Sequence, residues 1–250
     1  MGRATKMARK TEDCTNLIDS LKRLGMPIGI GENDRDTSLA AINDELARIA
    51  DERESKIFRK RSNVAKMPDA TYLCDYRDIP DRGLDITLLK DILSLSFMEG
   101  AQKENIILWG SAGTGKTWIA ELIATEACRK DKRVKWTNFP TLYRELDSLR
   151  KRDSEKFEKK LTYYSKFDLL CIDEFLNYEL KECFLIQELL NRITLIKRCS
   201  LLVCSQVNPF DWVKLFPATG IGESARGRIM HISKSIHLKG KDLRMEVSVK

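Results

Sequence analysis

Eight consecutive residues, Gly110-Ser111-Ala112-Gly113-Thr114-Gly115-Lys116-Thr117, constrain this chain more than any other stretch. They follow the spacing GxxxxGK and then Ser or Thr. The glycines tolerate backbone angles that side chains forbid, so the chain can turn tightly and converge several N–H groups on one anion. The apolar run Ile106-Ile107-Leu108-Trp109 leads into the turn, and Trp118, Ile119, Leu122 and Ile123 recur at helical spacing beyond it. The pattern predicts a buried strand, a phosphate-binding turn and a helix whose positive dipole end favours the same anion. On this reading the residues from Gly110 to Trp118 cradle ATP. Lys116 reaches the β- and γ-phosphates, and the Thr117 hydroxyl ligates Mg²⁺.

A second element is Leu169-Leu170-Cys171-Ile172-Asp173-Glu174, an apolar strand ending in two acids. Ligands bind at the carboxyl edge of an open parallel sheet, which is where those acids would stand. Asp173 is the expected Mg²⁺ partner, and Glu174 the base that polarises the attacking water. A third run, Leu201-Leu202-Val203-Cys204-Ser205-Gln206, ends in two neutral polar groups. If it lies between the other two strands, Ser205 or Gln206 can touch the γ-phosphate or the lytic water. Finally, Arg226 and Arg228 stand far along the chain from the loop. Arg228 is the candidate arginine finger, acting on a neighbouring subunit's nucleotide, with Arg226 beside it.

Around these motifs, apolar strands alternate with helices from residue 105 onward, near 116–129, 134–137, 141–150, 154–165, 169–172, 181–196, 201–204, 209–215, 222–231 and 235–238. Short buried strands separated by helices mean a parallel sheet covered on both faces. Before them, Leu17, Ile18, Leu21 and Leu24 mark a short helix, 27–36 reads as a loop, and Leu39, Ile42, Leu46 and Ile49 begin a charged helix to about Arg61. The stretch 67–81, with two prolines, reads as an extended linker. The expected domains are 1–68, helical with a linker, and 69–250, the nucleotide-binding domain.

The 250 residues carry 44 basic and 37 acidic side chains, a net charge of +7. That excess favours a polyanionic partner. Two segments are candidate DNA-contacting surfaces: the run Arg53 to Arg61 and the basic C-terminal stretch from Arg226 to Lys250. The seven cysteines include no CxxC pair, and several lie inside apolar runs, which fits reduced thiols in a cytoplasmic protein. No stretch approaches the roughly 18 apolar residues of a membrane span.

The loop GSAGTGKT, the run LLCIDEF, the segment CSQVNPFDW and the ending GRIMHISKSIHLKGKDLR occur in an order that resembles the IstB-like transposition helper ATPases. These are relatives of the DnaC helicase loader within the AAA+ class. The resemblance extends upstream through ELARIADERESKIFRKRSNVAKMPDATYLCDY and covers roughly residues 14–245. It implies an α/β P-loop NTPase of the AAA+ type, with a parallel five-stranded sheet, a small helical N-terminal domain and no C-terminal helical lid. It also implies a homo-oligomer assembling with ATP on duplex DNA and stimulating a partner transposase. By the same resemblance Ser205 or Gln206 is the first sensor, Arg228 the finger, and Arg244 a substitute for the arginine that a lid would carry. The alternatives are a replicative helicase loader with the same chemistry, a P-loop small-molecule kinase and a nucleotide-binding adaptor without turnover.

Overall fold

The computed structural model describes residues 39–76, 78–79, 81–100, 103–180, 184–196, 199–217 and 219–244. The helix expected near 15–24 and the loop at 27–36 lie outside them. The chain divides into two units, Met1–Ile57 and Phe58–Lys250. The described part of the first is the leading stretch of helix α1 (Leu39–Ala65), which runs four residues past the expected end at Arg61. Within the second unit, Phe58, Ala65 and Met67 pack into a hydrophobic core, so the end of α1 is tied down by apolar burial.

Among the described residues five strands make one sheet: β1 (Asn105–Trp109), β2 (Val134–Asn138), β3 (Leu169–Asp173), β4 (Ser200–Ser205) and β5 (Ser233–His237). Every pairing is parallel, in the order β2-β3-β4-β1-β5. The third polar-ended strand therefore does lie between the other two. The apolar runs look continuous in the sequence, but successive side chains point to opposite faces. Ile107, Leu170, Ile172, Leu201 and Val203 enter one core. Ile106, Leu108, Leu169, Cys171, Leu202 and Cys204 enter the other. Helices α2 (Ile86–Leu93) and α3 (Lys116–Arg129) cover the second face. Helices α4 (Phe139–Arg152), α5 (Ser154–Ser165), α6 (Phe184–Ile196) and α7 (Thr219–Met230) cover the first.

Local chemistry sets the helix starts. Asp85 caps α2 by accepting from Leu88 N at 2.7 Å, and Asp153 caps α5 by accepting from Lys156 N at 3.0 Å; such caps stabilise by about 1 kcal/mol each. Helix α4 starts two residues before its expected position, because Pro140 suits a first helical turn. Strand β5 begins at Ser233 rather than Ser235: Ser233 and Lys234 pair with Asn105 and Ile106 of β1 although neither is apolar. The stretch expected as an extended linker contains a short 3₁₀ turn, Leu73–Asp75.

Cys128, Cys171, Cys199 and Cys204 are buried free thiols. Burial pushes Cys128 up to about 11 and Cys199 up to about 12. No helix among the described residues is long and apolar enough to cross a membrane.

Candidate nucleotide site

The parallel sheet brings the carboxyl ends of β1, β4 and β3 side by side, and three of the sequence-predicted elements meet there. Gly110, Gly113 and Gly115 take φ of 145°, 76° and 82°, angles at which side chains are strained. Space excludes side chains as well. A Cβ on Gly110 would stand 2.1 Å from the Leu238 carbonyl oxygen, and one on Gly113 2.0 Å from the Asp242 carboxylate. Gly115 opens α3, whose start has no side-chain cap, so the first N–H groups of the helix are left for an anion. Lys116 Nζ donates to the carbonyl oxygens of Gly110 and Ser111, each at 2.7 Å. Burial lowers its pKa; Cys204 and Asp173 pull the other way, and Arg244 adds to the lowering. A polyphosphate would supply the negative charge that this buried ammonium lacks.

Thr117 Oγ1 donates to Asp173 Oδ2 at 3.0 Å. One neutral and one anionic oxygen therefore converge, a donor set that fits a hard divalent cation such as Mg²⁺. Burial raises the Asp173 pKa, against the hydrogen bonds from Glu174 N and Thr117 and the charge of Lys116. A cation at this point would favour the ionised carboxylate. Next in the chain, Glu174 has φ of 54°, a left-handed conformation that costs a non-glycine residue about 1 kcal/mol. Three contacts hold it there. Its N–H donates to Asp173 Oδ1 at 2.8 Å, Phe175 N donates to Cys204 O at 2.7 Å, and Asn138 Nδ2 at the end of β2 donates to the Glu174 carboxylate. Strain held by its surroundings is common at functional sites.

The two neutral groups after β4 separate in role. Ser205 is fully buried, and its hydroxyl accepts from Val207 N at 3.1 Å and from Trp212 Nε1 at 3.2 Å. Gln206 is exposed, and its N–H donates to Asn177 Oδ1 at 3.0 Å. Gly110 N donates to Ser205 O at 3.2 Å, so Gln206 follows directly on the carbonyl that steadies the glycine loop. Trp118 is half-buried, with its ring 6.1 Å from that of Tyr76.

The three candidate arginines stand in different places. Arg228 Nη1 donates to Ser224 Oγ at 2.6 Å within α7. Neighbouring Ile229 O accepts from Asn105 Nδ2, at the first residue of β1, which puts the backbone at Arg228 near the amino edge of the sheet. Arg226 reaches toward the 3₁₀ turn Pro209–Leu215, its guanidinium 5.8 Å from the centre of the Phe210 ring. Arg244 lies on the return after β5 and forks onto Asp242 with Nη2–Oδ2 at 2.7 Å.

Three contributors escaped the sequence reading. Asn138 carried a findable signal, since it is a polar residue ending a buried strand like Asp173. Arg82 and Asp242 carried none: both are charged residues in connecting segments, and only folding sets them against the glycine loop.

A glycine loop between a parallel strand and a helix, with acids ending the next strand but one in the sheet, defines a P-loop NTPase. The family model described as IstB-like ATP binding protein matches residues 30–250, and the chain belongs to that family. It is similar to the ATP-binding protein of insertion sequence IS21 from Pseudomonas aeruginosa, 25% identical over 78% of this chain and 72% of that one. It is also similar to the corresponding protein of IS5376 from Geobacillus stearothermophilus, 26% identical over 78% of this chain and 76% of that one. Among solved structures, DnaI aligns with a TM-score of 0.57 and 20% identity, over 72% of this chain and 92% of that one. The DnaC helicase loader aligns with a TM-score of 0.54 and 17% identity, over 66% and 95%. The fold is that of the AAA+ P-loop domains.

Proposed function

We propose that this protein is the ATP-hydrolysing helper of a transposition system: it assembles on duplex DNA with ATP, stimulates a partner transposase, and is released by hydrolysis. The observation that carries the reading is the meeting of the Thr117 hydroxyl and the Asp173 carboxylate at 3.0 Å, with Glu174 held beside them by Asn138. That grouping serves hydrolysis rather than binding alone. The insertion-sequence origin of the relatives supports the partner.

In this reading Lys116 and the N–H groups at the start of α3 bind the phosphates, while Thr117 and Asp173 hold Mg²⁺. The cation neutralises charge on the phosphates. Glu174 orients the attacking water and takes its proton, and Gln206 serves as the polar group facing the terminal phosphate. Sizing the purified protein with duplex DNA tests the reading. Large assemblies are expected with ATP and not without it, and transposase activity is expected to rise only under assembling conditions.

The finger arginine acts between subunits, and Arg226 and Arg228 are its two candidates. Arg226 faces the side of the Pro209–Leu215 turn, whereas Arg228 is engaged by Ser224 within α7. Substituting the finger with alanine is expected to abolish turnover, and mixing with a Lys116→Ala subunit is expected to restore part of it. Assayed in Arg226→Ala and Arg228→Ala separately, rescue identifies the residue, and its failure in both removes the trans arrangement.

Of the candidate DNA surfaces, the C-terminal one is partly self-neutralised, because Lys234 pairs with Asp91 and Arg244 with Asp242. Arg59 and Lys60 are exposed on α1. Replacing both by alanine is expected to weaken DNA binding equally across sequences. The salt slope should fall by about 0.9 for every DNA phosphate that the variant no longer neutralises. An unchanged slope, measured by fluorescence anisotropy against salt, would move the surface elsewhere.

A further inference from the structure

The motif holds only part of its own shape: Lys116 takes the carbonyls of Gly110 and Ser111, and Thr114 Oγ1 donates to Ser111 O at 2.9 Å. Two of its carbonyls are gripped from outside: Arg82 Nη2 donates to Thr114 O at 2.6 Å, and Leu243 N donates to Gly113 O at 3.0 Å. The first clamp comes from the segment before α2, the second from the return after β5. The two clamps are themselves joined, since Lys239 N donates to Arg82 O at 2.8 Å. A trans peptide is planar, and its C=O and N–H point in opposite directions. Pulling the carbonyls of Gly113 and Thr114 outward therefore aims the N–H groups of Thr114 and Gly115 the other way, into the cradle. Among the described residues nothing accepts from those two N–H groups.

Arg82 is an unusual clamp. It is only 4% exposed, and its buried Nε has no hydrogen-bond partner. A buried cation without a full set of acceptors costs stability. Its Nη2 also lies 2.2 Å from where a Cβ of Gly115 would be, so the third glycine makes room for this guanidinium as well as for its own backbone angle. A cation packed behind the loop adds positive potential to the N–H groups in front.

We propose that Arg82 is a positioning residue for polyphosphate. It acts through the Thr114 carbonyl, and the 242–244 strap does the same through Gly113. The proposal rests on the nucleotide-binding reading above and assigns what presets that site.

The test uses the full chain, a fluorescent methylanthraniloyl-ADP with Mg²⁺, and inorganic tripolyphosphate as competitor. Arg82→Met is expected to raise the Kd of both probes by the same factor, roughly tenfold or more, as for loss of a charge-assisted hydrogen bond. The melting temperature of the ligand-free protein is expected not to fall, because the buried charge goes too. Arg82→Lys, which keeps one donor, is expected to recover part of the affinity. A purely structural role would lower the melting temperature and leave the Lys variant no better than the Met variant. Unchanged affinity in Arg82→Met overturns the proposal, and so does a loss seen with the ADP probe but not with tripolyphosphate. If Arg82→Met does not fold, Leu243→Pro decides, since it deletes the other clamp's N–H, with Leu243→Ala as the control for the lost side chain. A severalfold loss for both probes supports presetting, and wild-type affinity overturns it. Wild-type protein that binds neither probe defeats the nucleotide reading and this inference together. Normal binding by the wild type with an unaffected Arg82→Met defeats the inference alone.

Discussion

Replacing Lys116 by alanine is expected to abolish nucleotide binding and, with it, ATP-dependent assembly on DNA. In the structure the ammonium bridges the carbonyl oxygens of Gly110 and Ser111, and burial already lowers its pKa. A phosphate arriving there gains charge-assisted hydrogen bonds of about 1.5–3 kcal/mol each, so losing two of them raises Kd by roughly a hundredfold or more. The fold is expected to survive, because deleting a buried cation also deletes its desolvation cost. Calorimetric titration with ATP, a thermal melt and sizing on duplex DNA check the three parts. Assembly that persists unchanged in the variant would contradict the switch.

The second large effect is expected from Glu174→Gln: nucleotide binding intact, turnover lowered by roughly two to four orders of magnitude, the usual contribution of a general base. The exchange is nearly isosteric. Asn138 can still donate to the new amide oxygen, and the other two contacts that hold residue 174 at φ of 54° come from backbone groups and Asp173. The basicity and the negative charge are removed while the shape is kept. The ATP-loaded assembly is therefore expected to form on DNA and to persist, visible as a slow or absent return to small species. Phosphate release at the wild-type rate would reassign the base.

How much was legible follows from the range of the interactions. The loop from Gly110 to Thr117 was readable because its chemistry is contiguous: the turn, the lysine and the hydroxyl lie within one short segment between a strand and a helix. Asp173 and Glu174 could be singled out for a related reason, since a buried strand of a parallel sheet ends at the edge where ligands bind. The strand limits slipped where polar residues take part, as at Ser233 and Lys234, because backbone pairing does not require an apolar side chain. The sequence left Ser205 and Gln206 equivalent. Trp212 separates them: its indole N–H takes the Ser205 hydroxyl into a buried turn, and Gln206 stays at the surface.

The sequence alone determined the class of chemistry, because phosphate recognition by a glycine turn is written in adjacent residues and depends on backbone freedom. It also determined the layered α/β architecture, because alternating apolar strands and helices can bury their faces in few other ways. Tertiary structure decided how the site is held: Asn138 on Glu174 across 36 residues, Arg82 on Thr114 across 32, and Asp242 against Gly113. The physical reason is that each of these contacts joins residues that come within a few ångströms of each other only after the sheet has ordered its strands. Until then Arg82 and Asp242 are two more charges in connecting segments, and the energy of burying one and packing the other does not exist.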